Sequence, residues 1–233
     1  MEPGDPAAVE QLFDSVAPSY DRLNDLLSLG LHRHWKRRLV SMLKPAPGEH
    51  WLDLCCGTGD LAFLLARAVR PGGTVVGLDS AASPLQRAEQ RHRQEPWLPL
   101  SFRQADALRT GLSPASMDGV VMAYGLRNLE DPALGLREVR RLLKPGGRAG
   151  ILDFNRLEPQ AIAARFQTLY LRRIVVPVAS ASGLREQYAY LEKSLQRFPT
   201  GREQERLALA AGFQQASHHT LSGNQMGILA LRA

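Results

Sequence analysis

A chain of 233 residues with 44% hydrophobic residues can bury the core of one α/β domain, so we predict a single domain over residues 1–233. The formal net charge of +6 first suggests nucleic acid as a partner, although a generally basic, arginine-rich surface explains it equally well. The acidic N-terminus is unlike a signal peptide and there is no run of about 18 apolar residues, so a cytoplasmic protein is expected. The only cysteines, Cys55 and Cys56, are adjacent, which disfavours a disulfide and gives no zinc-type spacing, so no metal is expected.

Residues 1–45 are predicted to form an N-terminal helical cap on the domain. Residues 8–28 have apolar side chains at helical spacing, and Pro18 divides them into two short pieces. A further helix is predicted from about His32 to Leu43. It should end there because a proline, Pro45, disfavours helical geometry in the residue before it.

Short apolar strands then alternate with helices, which is the pattern of a parallel sheet covered on both faces. Ser83 is the predicted N-cap of the second helix in this region, and Lys144-Pro-Gly-Gly147 should form the turn that ends the third. The predicted strands are 50–56, 74–79, 100–106, 117–126 and 148–154, and the predicted helices are 60–69, 84–93 and 131–143.

The C-terminal part departs from this alternation. Segments 213–220 and 227–232 are separated by a short turn around Gly223 and Asn224, which predicts an antiparallel hairpin. Residues 157–209 are mostly helical in pattern and are predicted to form an insertion before the last strands, on the substrate side. The fold class is therefore α/β, with a mostly parallel sheet and an antiparallel C-terminal hairpin.

A glycine turn follows the first predicted strand and opens a helix. Gly57 and Gly59 would let backbone N–H groups approach a ligand there. The signal is weak alone, because with Ala62 it also matches the dinucleotide pattern G-x-G-x-x-A, and a tight structural turn would need the same small residues. Asp79, 20 residues after Gly59, stands where a ribose-binding acid is expected in either case.

Two further carboxylates discriminate between the ligands. Asp53 lies inside the first predicted strand, and Asp106, followed by Ala107, ends the third. With Asp79 they resemble the acids that seven-stranded methyltransferases place at the methionine end, the adenine amino group and the ribose of S-adenosyl-L-methionine. A pyrophosphate would be repelled by an acid beside the glycine turn, whereas a sulfonium and an ammonium would be attracted. The acids therefore favour S-adenosyl-L-methionine over NAD.

Several segments spread over nearly the whole chain carry a family resemblance. The most specific is Gly125-Leu-Arg-Asn128. The others are Phe13-Asp-Ser-Val-Ala-Pro-Ser-Tyr-Asp21, Trp35-Lys36, Asp53-Leu-Cys-Cys-Gly-Thr-Gly-Asp60, Leu152-Asp-Phe154 and Tyr190-Leu-Glu-Lys-Ser194 with Phe198-Pro199. Together they resemble the ubiquinone and menaquinone biosynthesis C-methyltransferase family.

This resemblance implies a class I, seven-stranded, Rossmann-like methyltransferase fold. It implies S-adenosyl-L-methionine as methyl donor, S-adenosyl-L-homocysteine as product and a prenylated quinol as acceptor. The Cys55-Cys56 pair resembles the cyanobacterial and plastid branch, which methylates demethylphylloquinol; the general pattern has glycine in place of Cys55. The implied cofactor-binding residues are Tyr20, Asp53, Gly57, Thr58, Gly59, Asp79, Ser80, Asp106, Ala107 and Ala123.

Carbon methylation needs an electron-rich ring, hence the reduced quinol with a deprotonated hydroxyl. The family resemblance implies a catalytic role for Arg127, and since arginine is a poor proton acceptor we interpret it as an oxyanion stabiliser, with Asn128 orienting the substrate. The alternative for Arg127 is a structural salt bridge to Glu130 or Asp131. The proton acceptor is left open; candidates by chemistry alone are His32, His34, His218 and His219.

The substrate side is predicted from Asp153, at the end of the fifth strand, and from the insertion. Phe166, Tyr170 and Tyr188 are the candidates there, and an apolar stripe through residues 166, 169, 170 and 173 either lines a channel for the prenyl tail or belongs to the core. The neighbouring basic residues, Arg165, Arg172 and Arg173, favour reversible association with an anionic membrane.

Other functions are compatible with part of the pattern. They are methylation of demethylmenaquinol, of a ubiquinone precursor or of another small molecule, and binding without catalysis. A nucleic-acid partner is not expected, since no Asn-Pro-Pro-Tyr-like motif follows the fourth strand to hold a flipped base. Whether the chain forms a homodimer stays open.

Overall fold

The computed structural model describes residues 30–156, 190 and 193–233, which include a seven-stranded sheet in the order β3-β2-β1-β4-β5-β7-β6. The strands are β1 His50–Leu54, β2 Thr74–Asp79, β3 Leu100–Gln104, β4 Met117–Ala123, β5 Leu143–Phe154, β6 Gln215–Leu221 and β7 Met226–Arg232. The helices are α1 Leu31–Leu43, α2 Asp60–Ala68, α3 Ala82–His92, α4 Pro132–Leu142 and α5 Gly201–Ala210, with a 3-10 turn at Leu126–Asn128.

Five parallel strands form most of the sheet. β7 is antiparallel to both of its neighbours, β5 and β6. The strand order reverses at β1, which lies between β2 and β4. In open α/β sheets, a ligand crevice forms beyond the carboxyl ends of the strands at such a switch point. The turns after β1 and β4 therefore meet at one place.

Alternate side chains of the strands pack into two hydrophobic clusters, one on each face of the sheet. On one face, Trp51 of β1 and Val121 of β4 pack with α1 and α2. On the other, Leu52 and Met122 pack with α4 and α5. Neighbouring residues of a strand point to opposite faces of the sheet, because the side chains alternate with a period of two. Both faces are covered by helices, as is typical of central parallel strands.

The expected class of fold is confirmed, and several predicted boundaries need correction. β3 ends at Gln104 rather than at Asp106, because Asp106 lies in a turn that bridges back to Arg109. β4 ends at Ala123 rather than at residue 126, because Tyr124 adopts a left-handed φ of 61°. The turn predicted at 144–147 lies within β5, as an irregularity in its pairing with β4.

The N-cap prediction for α3 is wrong. The helix begins one residue before Ser83, with Ala81 as an N-cap whose side chain makes no capping bond. The N–H of this N-cap residue donates to Asp79 Oδ1, at the end of β2, at 3.0 Å. Ser83 is therefore the second residue of the helix and lies inside its first turn.

The C-terminal hairpin is confirmed. β6 and β7 are joined by a turn in which Gly223 and Asn224 both have positive φ, at 64° and 71°. In the part of the chain that the structure describes, no helix combines the length and apolar character needed to cross a membrane. The predictions for residues 1–29 and 157–189 lie outside the described residues, including those for Tyr20, Phe166, Tyr170 and Tyr188 and the basic residues near them.

Candidate active site

The turn after β1 is built from left-handed residues. Cys55, Gly57 and Gly59 have φ values of 57°, 53° and 87°. Gly59 is the N-cap of α2, and a Cβ there would lie 2.9 Å from the ring of Phe102, so only glycine fits. Cys55 occupies a conformation that favours glycine, which agrees with the glycine that the general methyltransferase pattern has at this position.

Asp53 is buried beneath this turn, with 1% of its surface exposed. Its Oδ2 accepts a hydrogen bond from the Ala62 N–H, in the first turn of α2, at 2.8 Å. Burial raises the pKa of Asp53 from 3.8 to about 8, and the Ala62 amide and the Lys36 ammonium offset only part of that rise. A cationic ligand nearby would favour ionisation of this carboxyl group, whereas an anionic ligand would oppose it.

Asp79 connects β2 to the glycine turn. Its Oδ2 accepts a hydrogen bond from the Gly57 N–H at 2.7 Å, in addition to the Ala81 bond at Oδ1. The Ala105 N–H donates to the Asp79 carbonyl at 3.0 Å, which brings the segment after β3 against the segment after β2. The predicted cofactor-binding residues therefore include three that lie close together: Gly57, Asp79 and Ser80.

The segment after β3 is fixed by its own turn. Asp106 Oδ1 accepts a hydrogen bond from the Leu108 N–H at 2.8 Å, and Ala107 is buried in the core. Asp106 thus stands at the carboxyl end of the sheet beside Asp79, as predicted, although it is not part of the strand.

A charged network that the sequence did not reveal holds α1 against the glycine turn. Asp60, the first residue of α2, accepts from Lys36 Nζ and from Arg91 Nη1, both at 2.8 Å. Arg91 Nη1 also donates to the carbonyl of Thr58, inside the turn, at 2.6 Å. Burial opposes the ionisation of Asp60, but the two cations outweigh it, so the pKa of Asp60 is well below its ordinary value.

A small cavity joins the turns that follow β1 and β4. The predicted residues Asp53, Gly57, Thr58 and Ala123 line it, together with Lys36, Cys55, Cys56, Asp60, Leu61 and Tyr124. Tyr124 departs from β4 in its left-handed conformation, and the Lys36 ammonium lies 5.9 Å from the centre of its ring. Lys36, Asp60 and Tyr124 all stand within or beside the quoted motifs, but no local pattern assigned them to the site.

The Gly125-Leu-Arg-Asn128 turn is held by a buried ion pair. Arg127 Nη1 donates to Asp153 Oδ1 at 2.6 Å, and the Arg127 N–H donates to Asp153 Oδ2 at 3.2 Å. Arg127 and Asp153 are 8% and 3% exposed. A structural salt bridge is therefore present, but with Asp153 rather than with the predicted Asp131, which is the N-cap of α4 and accepts from the N–H groups of Ala133 and Leu134.

Both polar side chains of this turn converge on Tyr124. Its carbonyl accepts from Arg127 Nη1 at 3.0 Å and from Asn128 Nδ2 at 2.9 Å. The Tyr190 hydroxyl donates to Asn128 Oδ1 at 3.2 Å, so Asn128 bridges the turn to the segment that precedes α5. These hydrogen bonds fix the backbone conformation at Tyr124, directly through Arg127 and Asn128 and indirectly through Asp153, which holds Arg127.

The four histidines named as possible proton acceptors lie on two different elements, β6 and α1. His218 and His219 lie on β6, which is separated from β1 by β4, β5 and β7. Burial lowers the pKa of His218, whose ring packs against Gly201 and Gly227. His34 is exposed on α1, and His32 is buried on the same helix, one turn before Lys36. The structure brings neither β6 histidine to the cavity.

The cysteine pair is chemically quiet. Both thiols are free, and burial raises the pKa of each well above its ordinary value, so the reactive thiolate is disfavoured. The Cys55 side chain faces Gly125, while the Cys56 side chain faces Gly77 of β2. Cys55 therefore packs the glycine turn against the turn after β4, and Cys56 packs it against β2, as small buried cysteines usually do.

The sheet order and the acid-rich glycine turn at its switch point define a class I, S-adenosyl-L-methionine-dependent methyltransferase. Solved structures agree on the fold. A methyltransferase from Aquifex aeolicus matches with a TM-score of 0.63 at 15% identity, over 84% of this chain and 88% of that one. Phosphoethanolamine N-methyltransferase 2 of Haemonchus contortus matches with a TM-score of 0.65 at 15% identity, over 85% of this chain and 52% of that one.

The family follows from sequence similarity. The model of the ubiE/COQ5 methyltransferase family matches residues 2–232, and the chain belongs to that family. It is 46% identical to the 2-phytyl-1,4-naphtoquinone methyltransferase of Synechococcus elongatus, over 98% of both chains. It is 43% identical to the chloroplastic 2-phytyl-1,4-beta-naphthoquinone methyltransferase of Arabidopsis thaliana, over 94% of this chain and 84% of that one. The predicted family, fold and methyl-transfer activity are confirmed.

Proposed function

We propose that this methyltransferase methylates a ring carbon of reduced 2-phytyl-1,4-naphthoquinone. The similarity to the cyanobacterial and plant relatives over nearly the full length carries this proposal. The adjacent cysteines agree with it, because the branch of the family that they resemble acts on this substrate. Demethylmenaquinol and ubiquinone precursors are the alternative acceptors that the experiment below distinguishes.

The residues around the glycine turn fit the proposed cofactor. S-adenosyl-L-methionine supplies an electrophilic methyl group and carries two positive charges and a ribose. Asp79, with its carboxylate at the end of β2, would accept the ribose hydroxyls. Asp53 would face the methionine end, and Asp106 the adenine amino group. The same stretch supplies Gly57, Thr58, Gly59, Ser80, Ala107 and Ala123 as contacts, with Tyr20 as a further candidate.

Arg127 and Asp153 would stand on the acceptor side. Methyl transfer forms a carbon–carbon bond while the carbon–sulfur bond breaks, and the ring proton then leaves. A ring made electron-rich by an ionised hydroxyl needs its oxyanion stabilised. Arg127 can supply that charge, and Asp153 holds the guanidinium in place at 2.6 Å. Because Arg127 is paired with Asp153, the substrate meets less net positive charge there. The second proposed role of Arg127 is therefore to position the turn that contains Tyr124.

The location of the substrate also bears on the proposal. A phytylated naphthoquinol dissolves in a bilayer, so we propose that the protein associates reversibly with the membrane that contains it. Phe166, Tyr170 and Tyr188 are proposed to receive the tail.

The test is a comparison of acceptors and redox states. The protein is incubated with methyl-labelled S-adenosyl-L-methionine and 2-phytyl-1,4-naphthoquinone, with or without dithionite, and the products are separated by chromatography. We expect methylated product only with the reductant. Matched reactions contain demethylmenaquinol or a reduced ubiquinone precursor, and a higher kcat/KM for either would reassign the substrate. Equal turnover of the oxidised quinone would contradict the mechanism.

A further inference from the structure

Lys36 reaches from α1 into the lining of the small cavity that joins the turns after β1 and β4. Asp53, Thr58 and Asp60 line the same cavity. The Lys36 side chain is only 12% exposed, although it carries a full charge. A charge that is largely removed from water needs an anionic partner, because otherwise its lost hydration is not compensated.

The ion-pair partner of Lys36 is Asp60, and Arg91 shares it. Lys36 Nζ donates to Asp60 Oδ2 and Arg91 Nη1 donates to Asp60 Oδ1, both at 2.8 Å. Arg91 also binds the Thr58 carbonyl and is 40% exposed, whereas Lys36 belongs to the cavity lining. One carboxylate therefore serves two cations. The Asp60 bond uses one of the three N–H donors of the Lys36 ammonium, and it fixes that ammonium at the cavity.

Lys36 also acts on Asp53. Its ammonium lowers the pKa of the Asp53 carboxyl, which burial raises to about 8. A hydrogen-bond donor with a positive charge and an acidic acceptor thus lie side by side in one cavity lining. The methionine part of S-adenosyl-L-methionine carries an ammonium and a carboxylate on the same carbon atom. A pair of opposite groups such as Lys36 and Asp53 is complementary to both.

We propose that Lys36 binds the carboxylate of the methionine part of S-adenosyl-L-methionine, while Asp53 receives the neighbouring ammonium. Asp60 holds Lys36 in position for this contact. Without a cation there, the carboxylate of the cofactor would lie beside the acids Asp53 and Asp60 and be repelled. The assignment rests on the proposed placement of the methionine end at Asp53 and is independent of the methyl acceptor.

The experiment is isothermal titration calorimetry of the full chain without any quinol, using three ligands. S-adenosyl-L-methionine is compared with its decarboxylated form, which lacks the carboxylate alone, and with S-adenosyl-L-homocysteine, which keeps the carboxylate and lacks the charge on sulfur. The test variant is Lys36→Met. The matched control is Arg91→Met, which removes the other cation of Asp60, outside the cavity lining. Lys36→Arg keeps the charge, and circular dichroism checks the fold of each variant.

We expect the wild type to bind S-adenosyl-L-methionine about tenfold or more tighter than the decarboxylated form, since a hydrogen bond between charged groups is lost with the carboxylate. Lys36→Met should bind S-adenosyl-L-methionine and S-adenosyl-L-homocysteine about tenfold less tightly, and the decarboxylated form nearly as the wild type does. Its preference for the carboxylate should therefore disappear. Arg91→Met should change all three affinities by a similar factor and keep the preference, and Lys36→Arg should retain most of it.

Three results would overturn the proposal. Equal losses for S-adenosyl-L-methionine and its decarboxylated form in Lys36→Met would show that Lys36 acts only by holding Asp60. A wild type that binds both forms equally tightly would show that the carboxylate makes no net contribution. A loss for S-adenosyl-L-methionine without a loss for S-adenosyl-L-homocysteine would assign the effect to the charge on sulfur. An error in the proposed acceptor would leave all of these affinities unchanged and would appear only in the turnover assay.

Discussion

The turns after β1 and β4 hold their charged residues in opposite ways. Around the glycine turn, Asp53 and Asp79 accept hydrogen bonds from the backbone amides of Ala62, Gly57 and Ala81. These donors are backbone amides, which fix the position of each carboxyl group and carry no net charge. In the turn after β4, Arg127 is bound directly by the oppositely charged Asp153, and both are buried.

This difference has a functional consequence. The Asp53 carboxyl, whose pKa burial raises to about 8, ionises more readily when a cationic ligand arrives. A buried pair of opposite charges is nearly neutral as a unit, so its main asset is geometry. The first turn is therefore suited to binding by charge, and the second to precise placement of Tyr124 and the acceptor.

The largest effect is expected from breaking the ion pair. Arg127→Ala leaves Asp153 buried and unpaired, which should cost about 3–5 kcal/mol of unfolding free energy. Turnover should fall by about 10²-fold or more, as it does when oxyanion donors are lost. Urea unfolding and kcat provide the two measurements.

A double variant separates the two roles of Arg127. Arg127→Met/Asp153→Asn removes both charges and keeps an acceptor for the backbone amides at position 153. It should regain at least half of the lost stability, whereas kcat should stay at the level of Arg127→Ala. Recovery of kcat together with stability would mean that the arginine is only structural.

A smaller effect is expected at the glycine turn, where Asp53 should make the stability of the fold depend on pH. The Asp53 carboxyl, with its pKa raised to about 8 by burial, holds a proton in the folded state that it loses near pH 4 in the unfolded chain. The folded protein should therefore lose stability as the pH rises from about 4 to 8, then remain level. Asp53→Asn should abolish this loss.

The aspartates of the glycine turn should also contribute to cofactor affinity. At pH 7, where the cofactor's amino group is still protonated, Asp53→Asn should bind S-adenosyl-L-methionine about tenfold less tightly, because a charged hydrogen bond is lost. Asp79→Ala should weaken binding about as much, because its charged hydrogen bonds to the ribose hydroxyls are lost. Glu89→Ala, on the exposed side of α3, is the control. Unchanged calorimetric affinity in either aspartate variant would remove that residue from the site.

The sequence predicted what depends on local pattern. The glycine turn, Asp53 and Asp79 all follow from apolar strands whose ends are marked by small or acidic residues. The Arg127 partner was not predictable in this way: Glu130 and Asp131 are nearer in sequence, but β4 and β5 are neighbours in the sheet, and that places Asp153 beside Arg127. Lys36 reaches Asp60 through the packing of α1 on α2, which no local period encodes.

The smallest effect, a coupling of about 1 kcal/mol, is expected where the two turns touch. Gly125 has an ordinary φ of −95°, but a Cβ there would lie 2.8 Å from the Cys55 Cβ and 2.8 Å from the Met122 Cγ. Gly125→Ala should therefore cost about 1–3 kcal/mol through steric overlap alone. Cys55→Gly alone should change stability little, because relief of its left-handed conformation offsets the loss of packing.

Combining the two substitutions tests whether this contact couples the turns. Gly125→Ala/Cys55→Gly should be more stable than the sum of the single changes predicts, by about 1 kcal/mol, since one of the two overlaps is removed. Gly125→Ala/Cys56→Ala is the control, because the Cys56 side chain faces Gly77 instead. Strict additivity in the first pair, measured by urea unfolding, would show that the β4 turn accommodates a methyl group by moving away from the glycine turn. In that case the conformation of Tyr124 would be set by Arg127 and Asn128 alone.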